Sequence, residues 1–408
     1  MTHLHLSIAL DGAGWHPAAW REPGARPGDL FTAGYWVDLA RSAERGLVDL
    51  ITIEDSFGLQ SSDVRGPDGR NDRVRGRLDA VQIAARVAPA TRHVGLVPTA
   101  LVTHTEPFHL AKAIATLDYV SHGRAGVRAQ ISPRAVDSDL VGRRYIPEFD
   151  RTGPITGETA ELLDELFTEA WDYVEVLRRL WDSWEDDAEI RDAATGRFID
   201  RNRLHAIDFT GDFFSVKGPS ITPRPPQGQP LVTALAHAAP DLRELPIRFA
   251  AGQADLVWLT PHDRAQAQGL VEAVHLARQQ SAAGSAPVHT FADLVVFLDR
   301  PGESGADRKE RLDTLDGHEY RSDARVFTGS AAELADLLVD WQQAGITGFR
   351  LRPGVLPDDL DLIVEALTPE LQARGRLRGP DGANTLRGLL GLPRPENRYA
   401  TTRQGVNV

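Results

Sequence analysis

Two carboxylates in succession, Glu54 and Asp55, close a short apolar run, and His104 and His109 flank the start of a later helical segment. Carboxylates and imidazoles are the side chains that move protons near neutral pH, so their placement at the ends of β-like runs marks a candidate site. For Asp55, capping a helix is the competing role. The two histidines are too sparse to specify a metal site, and His3 and His5 read as structural. The chain has no cysteine, which excludes disulfides, thiolate metal sites, iron–sulfur clusters and a cysteine nucleophile. No GxGxxG, P-loop, HExxH or GxSxG signature is present. Residue types alone therefore locate a site without assigning its reaction.

The elements that must position these groups follow from the hydrophobic pattern. Apolar runs at 4–10, 48–53, 93–97, 125–131, 231–235, 254–259, 291–298 and 348–351 alternate with segments of helical period. Near-continuous apolar strands covered by helices predict a parallel sheet. Eight such units predict an α/β fold of the (β/α)8 TIM-barrel type, with the site among the loops at the strand C-termini. Residues 1–375 form the expected barrel, with insertions at about 57–77, 132–157, 186–229 and 300–325, and 376–408 is a C-terminal extension. The arginine-rich 57–77 reads as a mobile loop, the stretch TGDFFSVKGPSITPRPPQGQP in the 186–229 insertion as a hairpin followed by a proline-rich strap, and 300–325 as solvated charged surface. The extension, with TLRGLLGLPRP, is expected to pack on a neighbouring molecule.

The 408 residues carry 45 Lys and Arg against 58 Asp and Glu, a net charge of −13. That balance argues against nucleic acid as a partner. The first residues lack a signal-peptide pattern, and no stretch reaches the ~20 apolar residues of a membrane span. The expectation is a cytoplasmic protein with no membrane partner and no metal.

Collinear stretches then carry a resemblance. They include Trp15-His16-Pro17-Ala18-Ala19-Trp20-Arg21, Ala43-Glu44-Arg45-Gly46 through Glu54-Asp55, and Gly95-Leu96-Val97-Pro98-Thr99-Ala100. Further along come Glu106-Pro107-Phe108-His109-Leu110-Ala111-Lys112, Leu117 to Gly126 (LDYVSHGRAG), Leu180 to Ala188, Pro225-Pro226-Gln227-Gly228, Pro369 to Gly375 and Thr385 to Leu392. Together they resemble the bacterial luciferase-like flavin monooxygenases, in the branch holding nitrilotriacetate and dibenzothiophene-sulfone monooxygenases. The resemblance implies reduced FMN supplied by a separate flavin reductase, with O2 and a small organic substrate as reactants, in a homodimer. The protein would orient the flavin and exclude water while the cofactor does the hard chemistry.

Carried over position by position, the resemblance implies that Asp55, Thr99 and His16 lie around the flavin. Trp15, Phe57 and His104 are the candidates for the substrate side. Other positions depart from the family pattern. An Asn that contacts flavin is replaced by Arg128, a Tyr by Phe167, and a phosphate-holding QAGxS by the stretch Thr233-Ala234-Leu235-Ala236-His237-Ala238. Ala236 keeps a small residue, His237 is a candidate phosphate donor, and Ala238 loses a hydroxyl. Two lost hydroxyl contacts to a dianion, at roughly 1.5–3 kcal/mol each, weaken affinity about 10²- to 10⁴-fold unless cations such as Arg128, Arg134 or Arg143 compensate. A deazaflavin-dependent oxidoreductase and a non-catalytic partner subunit are the alternatives these departures leave open.

Overall fold

The computed structural model describes residues 3–61, 63, 66–148, 155, 157–236, 244–284, 286–379 and 382–400. Eight parallel strands close into a barrel: β1 (His5–Leu10), β2 (Leu50–Ile53), β3 (Gly95–Leu101), β4 (Gly126–Gln130), β5 (Leu231–Ala236), β6 (Leu256–Leu259), β7 (His289–Leu298) and β8 (Gly348–Pro353). Closure is made by β8 on β1, with His5 opposite Gly348 and Ile8 opposite Leu351. The strands are almost wholly buried, because one face lines the barrel and the other lies under helices.

Helices α1 (Ala33–Arg45), α2 (Ala80–Val87), α3 (Pro107–Val120), α4 (Ala135–Val141), α5 (Glu158–Asp182), α6 (Leu245–Gln253) and α7 (Arg264–Gln280) follow in chain order. Their starts are set by local chemistry. Thr32 caps α1 through the Tyr35 amide, Asp79 caps α2 through the Gln82 amide, and Pro107 sits in the first turn of α3, where its missing N–H costs nothing.

Two expectations are corrected. Residues 300–325 are not merely solvated surface. They hold α8 (Gly305–Asp316), capped by Ser304. A ninth strand follows at Arg325–Gly329, paired with the far end of β7 from Leu294 to Leu298. Two of their charged residues, Arg308 and Asp316, are buried. Arg308 is fully buried and pairs with the fully buried Asp359 of the short helix Asp358–Leu362, and Arg311 pairs with Glu22 and Glu303. The tail likewise packs on its own barrel. Leu386, Leu390 and Leu392 close the base against Leu50, Val97, Leu231, Leu256, Trp258 and Phe291. Gly95 permits this approach, since a Cβ there would lie 2.5 Å from a Leu386 methyl. Each leucine removed from water there contributes about 1.5–3 kcal/mol. The expected hairpin is present, Phe209–Thr210 against Ser215–Val216. No helix among the described residues is long and apolar enough to cross a membrane.

Candidate active site

Alternation along the strands points every second side chain into the barrel. Near the mouth those positions are charged. Register sets Thr99 beside Arg128, and Asp293 beside Arg350. Arg128 Nη1 donates to Glu54 Oε2 at 3.0 Å, Thr99 Oγ1 at 3.2 Å and Gln130 Oε1 at 2.8 Å. Arg350 reaches the other Glu54 oxygen at 3.3 Å and grips Asp293 through Nε at 2.9 Å. Arg352 also holds Asp293, continues to Asp323 at 2.6 Å, and stacks over Trp15 at 4.5 Å. Three guanidiniums are thus interleaved with three carboxylates, and Arg128, Arg350, Arg352 and Asp293 are all buried.

The titration behaviour follows from this packing. Burial pushes the Glu54 carboxyl up, but Arg128, Arg350 and Arg352 outweigh burial and hold it below the usual carboxylate range. Burial lowers Arg128, with Glu54 opposing. Burial also works against the charge on Arg352, yet Asp293 and Asp323 hold it above the usual value. The network is a neutral, fixed floor to the barrel mouth.

The residues singled out in the sequence fall into separate groups. Thr99 and Arg128 belong to the floor, so Arg128 is already neutralised by Glu54 and is not a free anchor for phosphate. Asp55 lies just beyond β2, where its two oxygens accept from the amides of Ser56 at 2.7 Å and Ala80 at 2.9 Å. Burial raises its pKa, with those amides opposing. This geometry is that of a residue locking the loop onto the start of α2. His16 is buried between Asp313 of α8, 3.0 Å from Nε2, and the Ala18 amide, 3.0 Å from Nδ1. Because Nδ1 accepts from an amide, Nε2 carries the proton. Burial lowers the His16 pKa despite Asp313. Trp15 lies in the same corner, with Nε1 3.4 Å from the Ala9 carbonyl. Phe167 packs edge-on against Phe249. Ala236 ends β5 and is buried; His237 and Ala238 lie outside the described residues.

Phe57 and His104 meet on the opposite side, ring to ring at 6.4 Å. His104 follows β3 in a left-handed backbone, φ 71°, an uncommon conformation that is strained for most side chains. It is 4% exposed, and neither ring nitrogen has a hydrogen-bond partner. Burial lowers its pKa, helped by Arg144, so at neutral pH the ring presents one donor and one acceptor. Around it, Arg134 Nε, Asp137 Oδ1 and Arg144 Nε are buried and equally unpartnered. The loop carrying Phe57 closes over them at Gly58, where a Cβ would stand 3.1 Å from Asp137 Oδ1.

Between β1, the 57–77 strap and the segment after α8 lies a cavity of about 650 Å³, lined among others by Asp11, Trp15, Arg73, Arg77, Asp316 and Tyr320. Sequence reasoning passed over the strand charges Asp293, Arg350 and Arg352. Their signal was present: FADLVVFL and GFRLRP carry charges at alternating, inward positions of otherwise apolar strands.

The family model for luciferase-like monooxygenase matches residues 13–325. The chain is 28% identical to N-acetyl-S-(2-succino)cysteine monooxygenase of Bacillus subtilis (strain 168), covering 97% of this chain and 98% of that one. It is 27% identical to nitrilotriacetate monooxygenase component A of Aminobacter aminovorans, with the same coverage. Among solved structures, a riboflavin lyase crystallised with modified FMN and riboflavin superposes with a TM-score of 0.80 at 23% identity, over 98% of both chains.

Proposed function

The chain belongs to the luciferase-like monooxygenase family, and from that premise we propose that it is the oxygenase component of a two-component system, taking reduced FMN from a separate reductase and using O2 to oxygenate a small organic substrate. The observation that carries the cofactor part is the cluster of unpartnered buried atoms on His104, Arg134, Asp137 and Arg144. A buried polar group without a partner costs about 1–3 kcal/mol, so five such atoms in one place mark where a polar ligand completes the structure. Guanidinium and imidazole donors suit a polyol ending in phosphate.

These residues fit FMN, and each has a part. The Arg134 side chain makes no hydrogen bond or ion pair among the described residues, so its guanidinium is available to the phosphate. Arg144 is oriented by Glu165 and Glu169, leaving Nε for a second contact. His104, neutral and fixed by its backbone, donates to or accepts from the bound molecule. The Glu54–Arg128 pair forms a rigid polar floor that holds its geometry without rearranging. Reduced FMN supplies the electrons with which O2 is activated. Asp55 keeps the β2–α2 loop in place. A homodimer in the cytoplasm belongs to the same reading.

Titration of the purified protein with reduced FMN, riboflavin and a deazaflavin tests this. We expect FMN to bind in the micromolar range and riboflavin, lacking phosphate, at least about tenfold more weakly, as loss of one charge-assisted contact predicts. Binding of the deazaflavin alone, or of no flavin, would overturn the assignment.

A further inference from the structure

The cavity beside β1 is chemically unlike the flavin-facing rim. Four arginines of one strap, Arg70, Arg73, Arg75 and Arg77, line it together with Arg321. Against these five cations stand four carboxylates, Asp11, Asp68, Asp316 and Glu319. Asp72, just outside the lining, is paired with Arg70, so the wall is rich in guanidiniums whose charge is balanced by nearby carboxylates. An apolar wall is formed by Trp15, Val74 and Tyr320.

The arginines are held in place by carboxylates, and Arg77 keeps one edge of its fork unused. Arg77 grips Asp11 through Nε at 3.1 Å and Nη2 at 2.8 Å. Arg73 grips Asp316 through Nε at 2.8 Å and Nη2 at 2.5 Å. In both cases one edge of the planar fork is occupied; Arg77 Nη1 makes no hydrogen bond or ion pair among the described residues, whereas Arg73 Nη1 already lies 3.7 Å from Asp68 Oδ2. Asp316 is itself buried and is shared with Arg70, whose Nη2 lies 3.3 Å from Asp316 Oδ1, so Arg73 is held in a network of fixed charges. A fixed guanidinium with a free edge, as at Arg77, binds a planar anion at little cost in side-chain entropy.

We propose that this cavity is the substrate site and that its substrate is a small organic acid, with a carboxylate on Arg77 and an apolar body against Trp15 and Tyr320. The assignment rests on the oxygenase reading for its meaning. The cavity also shares Asp11 and Arg77 with a narrow cleft that reaches Glu54, which joins it to the floor of the barrel mouth.

Binding is measured without flavin, so failure here is distinct from failure of the cofactor assignment. Calorimetry uses succinate and tricarballylate as probes, with dimethyl succinate and inorganic sulfate as controls. The expected result is binding of the free acids that weakens as salt is raised. The diester should bind at least about tenfold more weakly, in line with losing a charge-assisted contact. In Arg77→Gln the affinity for succinate falls by a similar factor. The exposed rim variant Arg321→Glu, which cannot unfold the barrel by leaving a buried charge, weakens binding by about two- to threefold through long-range repulsion. Equal affinity for acid and diester, equal affinity for sulfate and succinate, or no response to either substitution would overturn the proposal.

Discussion

Two sides of one barrel mouth use the same residue types and leave them in opposite states. On the β1–α8 side, Arg73 and Arg77 are each clamped by a carboxylate, and His16 has both ring nitrogens occupied. On the β3–β4 side, His104 has neither nitrogen occupied, and Arg134 and Arg144 each leave Nε bare in a buried place. Paired groups build a wall whose shape is present before any ligand arrives. Unpaired groups store a cost of about 1–3 kcal/mol each, and that cost is recovered only when something binds. The contrast separates a preformed cavity from a rim that a cofactor completes.

The largest expected effect breaks the satisfied floor between the two sides. Asp293→Ala leaves Arg350 and Arg352 buried without their shared carboxylate, and we expect a loss of about 3–5 kcal/mol in unfolding free energy, read by denaturant titration. A loss below about 1 kcal/mol would show that the network contributes nothing to holding the mouth. A smaller effect of the opposite kind is expected at His104. Asn tolerates the left-handed backbone and removes the unpartnered imidazole. His104→Asn should therefore keep stability within about 1 kcal/mol of the parent while FMN affinity falls about tenfold, the equivalent of one hydrogen bond. Falling stability with unchanged FMN affinity would assign His104 to the wall and erase the contrast. The smallest effect sharpens the boundary. Asp55→Ala should cost about 1 kcal/mol, because the amides of Ser56 and Ala80 lose their acceptors, with FMN affinity unmoved. Reduced FMN affinity at full stability would return Asp55 to the cofactor.

The barrel was legible because its signal is local and repeated. Each of the runs at 48–53, 254–259 and 291–298 is apolar for the length of a buried strand and is followed by helical spacing, and all three are barrel strands. The segment 300–325 was misjudged for the same reason. Arg308 is charged and so reads as surface, yet it pairs in the interior with Asp359, 51 positions along the chain. The tail at 386–392 has an apolar pattern that asks for burial, but pattern alone does not say against which surface. Within the site, Glu54 and Asp55 are neighbours on the same strand exit. Strand alternation sends one into the barrel and the other to the α2 amides, and that parity is fixed by the register of β2 against β1 and β3.

The order of strands and helices, the exclusion of thiol chemistry and the family resemblance were all properties of the sequence, because each depends on residues close together in the chain or on composition. Which arginines are spent and which are free was decided only by the folded barrel. Charge pairing depends on distances between residues such as Arg128 and Glu54, 74 positions apart. Closing the sheet on itself brings these distances within hydrogen-bond range, where burial makes each pairing, or its absence, energetically decisive.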